Sequence, residues 1–295
     1  MEKRYMKDFI IMTDSCCDLP AQLADTLELT VLPLSFTING KEHFNYLDGR
    51  DISSSHFYRL LRQGTQCTTS AANTNAFLSA MEPVLEKGKD ILCICFSSAL
   101  STTCASAQMA AKELALKYPN NKIYIVDSLS ASLGQGMLTY YAVQQKQNGK
   151  AIEQVYQWME QNKLHLCHWF TVDDLNHLKR GGRISPAVAF VGSLLGMKPI
   201  LHVDDTGHLV NVGKIKGRRA SLSQLVEKLE QTAVHIAEQT IFISHGDCPE
   251  DAELLAKMIR KQLPVKDIII NPIGPVIGSH SGPGTLAVFF FGTKR

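Results

Sequence analysis

The stretch DILCICFSS at residues 90–98 decides the fold of this chain. Its continuous apolar run is typical of a strand that is buried on both faces of a sheet. An alanine-rich segment at residues 102–117 predicts a helix, and residues 122–126 predict a second strand. A strand, a helix and a strand in this order favour two parallel strands joined by a crossover helix.

The rest of the first half continues this alternation. Residues 9–12 predict another buried strand, and residues 31–36 are predicted to be extended, with Pro33 placing them toward a sheet edge. Helices are predicted at residues 54–62, 73–87 and 133–147. We therefore expect an α/β fold whose N-terminal part is a mostly parallel sheet with helices on both faces.

Three of the predicted strands end in polar residues, namely Asp14-Ser15, Ser97-Ser98 and Asp127-Ser128. In parallel α/β sheets, ligands bind outside the carboxyl ends of the strands. Three polar strand ends at one edge of the sheet therefore predict a ligand site at that edge.

The second half of the chain has a different pattern. Strands are predicted at residues 164–172, 241–244, 268–271 and 285–291, and helices at residues 152–161, 188–195, 221–238 and 250–261. A hairpin is predicted where residues 199–203 and 209–212 flank the turn Asp205-Thr206-Gly207. This half is therefore expected to be a mixed α+β domain. Because 295 residues are many for one core, we predict two domains, residues 1–160 and 161–295.

Composition excludes several classes of protein. The formal net charge is only +2, which gives no electrostatic argument for binding nucleic acid. The apolar run at residues 9–12 is too short for the core of a signal peptide, and residues 186–201 are too interrupted to span a bilayer, so we expect a cytoplasmic protein. The eight cysteines include no Cys-x-x-Cys pair, and neither a metal site nor a cofactor is predicted.

A glycine-rich segment near the end of the chain, GSHSGPG at residues 278–284, is predicted to be a loop that approaches a small ligand closely. Together with the hydroxyl clusters at residues 68–70 and 97–98, it predicts a site built from Ser, Thr and His. Two alternatives stay open on the residues alone. One is a serine hydrolase that pairs Ser98 or Ser281 with His280, and the other is a binder of another small anion or anionic lipid.

Several short motifs follow one another along the whole chain. TDSCCDLP at residues 13–20 resembles T-D-S-x-x-D-L-P, SSALS at 97–101 matches S-S-x-L-S, and HSGPG at 280–284 resembles H-T-G-P-G. Shorter matches are DG at 48–49, TS at 69–70, DS at 127–128, GGRI at 181–184 and KPIL at 198–201. With these motifs in this order, the chain resembles the DegV family of bacterial lipid-binding proteins.

The resemblance implies two α/β domains with one long-chain fatty acid, such as palmitate, buried between them. It implies that the carboxylate is bound by Thr69, Ser98 and His280, and secondary candidates are Ser70, Ser97, Ser281 and Lys216. It further implies a carrier without catalysis of its own, which presents the acid to an ATP-dependent fatty acid kinase. The basic clusters at residues 179–183 and 214–219 would then dock the kinase or contact an anionic membrane surface.

For the acyl tunnel, the sequence offers apolar residues in the second half, and the candidates are Phe190, Leu194, Leu195, Met197 and Ile200. Burying a tail of about fifteen carbons yields on the order of 10 kcal/mol, at roughly 0.8 kcal/mol per CH₂. Association costs about 4 to 15 kcal/mol, so the tunnel must be preformed. The chain departs from the family pattern at Ala71, Ala72, Thr102, Cys104 and Lys216, which bear on chain-length preference and on competence with a kinase.

Overall fold

The computed structural model describes residues 7–184 and 196–295. Its strands are β1 (Phe9–Asp14), β2 (Thr30–Leu32), β3 (Ser35–Ile38), β4 (Lys41–Phe44), β5 (Cys67–Ser70), β6 (Asp90–Cys95), β7 (Ile123–Asp127), β8 (Leu166–Thr171), β9 (Met197–Val203), β10 (Leu209–Lys216), β11 (Thr240–His245), β12 (Asp267–Pro272) and β13 (Leu286–Phe291). Its α-helices are α1 (Ala21–Thr26), α2 (Ser54–Arg62), α3 (Thr74–Glu86), α4 (Thr103–Lys117), α5 (Leu133–Gln147), α6 (Ile152–Asn162), α7 (Asn176–Arg180), α8 (Arg218–Thr232), α9 (Pro249–Gln262) and α10 (Pro275–Ser281).

The strands form three sheets. A parallel sheet has the order β2-β1-β6-β7, which confirms the predicted α/β architecture of the first half. A small antiparallel sheet has the order β4-β3-β5. A six-stranded mixed sheet has the order β10-β9-β8-β13-β11-β12, in which β11 and β12 are parallel and the other pairs are antiparallel.

Pro33 separates two strands that the sequence joins into one extended segment. The chain leaves the parallel sheet after β2 and enters the small antiparallel sheet at β3. Because proline has no N–H to donate, it cannot continue a hydrogen-bonded ladder. The predicted hairpin of β9 and β10 is present and antiparallel.

Helix α5 lies between the parallel sheet and the six-stranded sheet and contacts strands of both. Its Leu133, Met137 and Leu138 are fully buried. They share one apolar cluster with Leu92 of β6 and Phe289 of β13. Gly134 and Gly136 permit this packing, since a Cβ at either position would overlap neighbouring atoms. The Gly-Gln-Gly sequence therefore serves close packing of a helix between two sheets.

The segment at residues 278–284 is not entirely a loop, contrary to the prediction. Residues 275–281 form α10, with Pro275 in its first turn, where the fixed φ of proline suits a helix. The helix ends at Gly282, whose φ of +81° favours glycine. The many glycine and serine residues hide the helix in the sequence. His280 lies in the last turn of α10.

The strands of the parallel sheet come before residue 160 and those of the six-stranded sheet come after it. The predicted boundary falls in the last turn of α6, and the division into two domains stays a prediction. In the described part of the chain, no helix combines the length and the apolar character needed to cross a membrane. The predicted helix at residues 188–195 lies outside the described residues.

Asp18 connects the two halves of the molecule. It is 2% exposed, and its carboxylate accepts hydrogen bonds from Ser132 Oγ at 2.6 Å and from the N–H of Gly274 at 3.0 Å. Ser132 precedes α5 and Gly274 precedes α10. Burial raises the pKa of this carboxyl group to about 7, so its protonated form is favoured in the folded protein.

Replacing Asp18 by Asn should change how stability depends on pH. A carboxyl group whose pKa is raised by folding binds more protons in the folded state, so the wild-type protein should lose stability as pH rises from about 4 to about 7. The loss is on the order of 1.4 kcal/mol per unit of pKa difference. Asp18→Asn should lack this component, as measured by urea unfolding across that range. Asp25→Asn, on the surface, is the control, and parallel curves for wild type and Asp18→Asn would contradict the prediction.

Candidate ligand-binding site

A cavity of about 480 Å³ lies between the carboxyl ends of the parallel strands and one face of the six-stranded sheet. This is the size range of small-molecule sites. Its apolar lining residues are Leu34, Ala71, Phe96, Ala99, Leu100, Ala131, Phe170, Leu178, Leu209, Ile273, Val276, Ile277 and Ala287. Its polar lining residues are Thr69, Ser70, Ser98, Ser101, Thr102, Ser132, His168, Arg183, Ser244, His280, Ser281 and Thr285.

Thr69, Ser98 and His280 all line this cavity, from three separate elements. Thr69 is on β5, Ser98 follows β6, and His280 is on α10. Thr69 Oγ1 and His280 Nε2 are 2.8 Å apart and hydrogen-bonded, across 211 positions of sequence. Ser98 is exposed while Thr69 and His280 are half-buried, so these three side chains mark the mouth of the cavity.

Two carboxylates hold the loop that carries Ser98. Asp14 Oδ2 accepts the N–H of Phe96 at 2.8 Å, and Asp127 Oδ1 accepts the N–H of Ser98 at 3.2 Å. The polar ends of β1, β6 and β7 therefore do meet at one edge of the sheet, as predicted. Both carboxylates bind backbone N–H groups at this edge. Of the six polar residues predicted at the three strand ends, Ser98 lines the cavity.

The His280 imidazole is neutral near pH 7. Burial, and then the positive charge of Arg183, lower its pKa to about 4. Its Nδ1 is buried and has no hydrogen-bond partner within residues 7–184 and 196–295. This side of the ring lies against Gly181, where a Cβ would overlap Nδ1. The absence of a side chain at Gly181 thus sets the position of the imidazole.

Arg183, from the basic cluster at residues 179–183, lines the cavity. Its Nε donates to the carbonyl of Leu100 at 3.0 Å, and another guanidinium nitrogen donates to the carbonyl of Gly181 at 2.6 Å. The half-buried side chain lines the cavity near His280. Its neighbour Arg180 is exposed. The GGRI motif contains Arg183, but the sequence alone does not show which of Arg180 and Arg183 lines the cavity.

The secondary candidates occupy different places. Ser70 and Ser281 line the cavity. Ser97 is fully buried outside the lining, and its Oγ donates to the carbonyl of Gly207 at 3.0 Å, which joins the Ser98 loop to the turn between β9 and β10. Lys216 is exposed at the end of β10, the edge strand of the six-stranded sheet, and does not line the cavity.

The tunnel candidates are not brought to the cavity where the structure describes them. Ile200 packs in a cluster with Trp169 and residues of α8, and neither Ile200 nor Met197 is among the lining residues. Phe190, Leu194 and Leu195 lie outside the described residues. The apolar wall comes instead from strands and loops, including Phe170 on β8. A strand presents alternate residues to opposite faces, and its sequence does not say which face meets a cavity.

A serine hydrolase needs its nucleophile hydrogen-bonded to a base. His280 Nε2 is hydrogen-bonded to Thr69, and neither Ser98 Oγ nor Ser281 Oγ is hydrogen-bonded to a histidine in the described part of the chain. The residues proposed for a hydrolase therefore do not form a paired nucleophile and base in this structure.

Comparison with known proteins identifies relatives across the whole chain. A family model described as "Uncharacterised protein, DegV family" matches residues 8–293. A DegV domain-containing protein of Clostridium perfringens is 51% identical over 290 residues, covering 98% of this chain and 99% of the relative.

Two solved structures share the fold at this length. A fatty-acid-binding DegV family protein from Thermus thermophilus is 28% identical with a TM-score of 0.87, covering 97% of this chain and 99% of its own. A DegV lipid-binding protein from Thermotoga maritima is 27% identical with a TM-score of 0.86, covering 98% and 99%. The family model and the close relative together show that this chain belongs to the DegV family.

Proposed function

We propose that this protein binds a long-chain fatty acid, with the carboxylate at Thr69, Ser98 and His280 and the acyl chain inside the cavity. The observation that carries this proposal is a cavity whose mouth has hydroxyl and imidazole groups and whose interior is largely apolar. The fatty-acid-binding and lipid-binding relatives described above support it.

The mouth suits a carboxylate that must be both held and released. Hydroxyl groups and a neutral imidazole can donate hydrogen bonds to its oxygens without forming a fixed ion pair. Arg183 adds positive charge nearby, while its guanidinium is partly engaged by two backbone carbonyls. A bound carboxylate would favour the imidazolium form of His280 and so raise its pKa.

The next step in the proposed function is presentation of the carboxylate to a separate ATP-dependent kinase, with no catalysis by this chain. The exposure of Ser98 supports this step, because it places the head group where a partner can reach it. Arg180, Lys214, Lys216 and Arg219 are exposed and supply positive charge for docking to the kinase or to an anionic membrane surface. A cytoplasmic location is part of the same proposal.

The first test is the ligand that the purified protein carries. Native mass spectrometry, followed by denaturation and fatty-acid analysis of the extract, should show one fatty acid per chain. A protein that is empty and also fails to take up added fatty acid would contradict the proposed function.

Removing the hydroxyl donors at the mouth should weaken binding. A hydrogen bond to a charged group contributes about 1.5 to 3 kcal/mol, so Thr69→Val and Ser98→Ala should each raise the Kd for a fatty acid by about 10- to 100-fold. Thr68→Val is the matched control, because Thr68 precedes Thr69 on β5 and does not line the cavity. Unchanged affinity in both mouth variants would refute this assignment of the head group.

Gly181→Ala should displace the His280 ring and weaken binding, although position 181 itself is compatible with alanine because its φ is −70°. We expect a Kd increase of about 10-fold, corresponding to roughly one hydrogen bond, with a changed imidazole chemical shift in NMR spectra. Gly213→Ala is the control, since nothing lies within 4 Å of a Cβ there. An undisturbed His280 signal would show that Gly181 does not position the ring.

A further inference from the structure

Ser244, on β11, places a hydroxyl group on the cavity wall that the fold does not satisfy. The residue is completely buried, and its Oγ has no hydrogen-bond partner among residues 7–184 and 196–295. Buried hydroxyl groups in proteins are almost always hydrogen-bonded, so one without a partner requires an explanation. Its location on the wall directs that explanation to the contents of the cavity.

Ser281, on α10, repeats the feature from a second element. It is 5% exposed and lines the cavity, and its Oγ also lacks a partner in the described part of the chain. Thr285 provides the contrast, because it lines the same cavity and its Oγ1 donates to the carbonyls of Ser281 and Gly282. Lack of a hydrogen-bond partner is therefore not a general property of the hydroxyl groups that line this cavity.

The position of Ser244 points to the acyl chain and not to the carboxylate. The proposed carboxylate ligands lie at the mouth, where Ser98 is exposed, whereas Ser244 has no exposed surface. On the six-stranded sheet, Ser244 pairs with Ala287, which pairs with Phe170. These three residues line one wall about 10 Å wide, at two strand spacings. Ser244 thus stands beside apolar residues on this wall.

His168 adds a third polar group to the buried part of the cavity. It is 5% exposed and lies two residues before Phe170 on β8, so both side chains face the cavity. Burial, and then Arg295 and His202, hold the pKa of His168 well below its usual range, so the ring is uncharged at neutral pH. The buried polar groups on this wall are therefore all neutral, which suits an uncharged polar group on the ligand.

We propose that the cavity is selective for a fatty acid whose acyl chain bears a hydroxyl group, which hydrogen-bonds to Ser244 and Ser281. A hydroxyl can donate to one serine and accept from the other. A plain hydrocarbon chain would leave both serine hydroxyls buried and unpaired, which is unfavourable. This inference rests on the proposed function and specifies its substrate class.

The test compares octadecanoic acid with a set of its monohydroxy isomers, each bound to delipidated protein. In wild type, at least one isomer should bind about 10-fold more tightly than the plain acid, the contribution of one buried hydrogen bond. Ser244→Ala and Ser281→Ala should abolish that preference and bind the plain acid at least as tightly as wild type does. Ser223→Ala, on the outer surface of α8, is the control, and thermal melting confirms that each variant is folded.

Three outcomes would overturn the inference. The isomers could all bind wild type no better than the plain acid, as expected if a trapped water satisfies the two serines. The preference could also persist in the Ser244→Ala, Ser281→Ala double variant, which would place the hydroxyl elsewhere. If no fatty acid binds to any form of the protein, the proposed function itself is refuted, and the inference falls with it.

Discussion

The candidate ligand site depends most on the hydrogen bonds that the Asp14 carboxylate accepts. Its oxygens accept the N–H of Cys16, the N–H of Phe96 and the side-chain amide of Gln135. These donors belong to the turn after β1, to the loop after β6 and to α5, so one residue aligns three elements at the edge of the parallel sheet. The group is fully buried, and its pKa is raised by desolvation while the hydrogen bonds oppose that rise. The position of the Ser98 loop follows from this alignment.

A second set of contacts fixes the position of the other half of the cavity. Asp18 binds the N–H of Gly274 at the start of α10, and Asn271 Nδ2 donates to the carbonyl of Asp18 at 2.8 Å. Helix α10 carries His280, so its position relative to Thr69 is set from the same turn that contains Asp14. Asp14, Asp18 and Asp127 hold this region together without lining the cavity. Their role is to fix backbone groups, and the hydroxyl and imidazole side chains that they position line the cavity.

Much of this arrangement could be predicted from the sequence, because the signals were local. The apolar run before Ser97-Ser98 showed a buried strand, and the order of strands and helices showed a parallel sheet whose polar ends meet. The helical state of residues 275–281 was missed because glycine and serine are weak helix formers, and tertiary contacts decide their conformation. The predicted tunnel residues include Met197 and Ile200, whereas Ile200 packs on the side of its sheet that faces away from the cavity. Which face of a strand meets a cavity depends on the packing of distant elements. The residue pattern of a single strand does not contain that information.

The hydrogen bond between Thr69 and His280 joins residues 211 positions apart. The mouth of the cavity therefore does not exist until nearly the whole chain has been synthesised, since domains form from the N-terminus onward during translation. A nascent chain contains the residues of the parallel sheet and of its polar edge long before it contains those of α10. Such a chain lacks His280 and cannot form this trio of side chains. Under the proposed function, loading is thereby restricted to molecules whose two halves have come together, and a fragment that ends before α10 cannot compete for the fatty acid through this site.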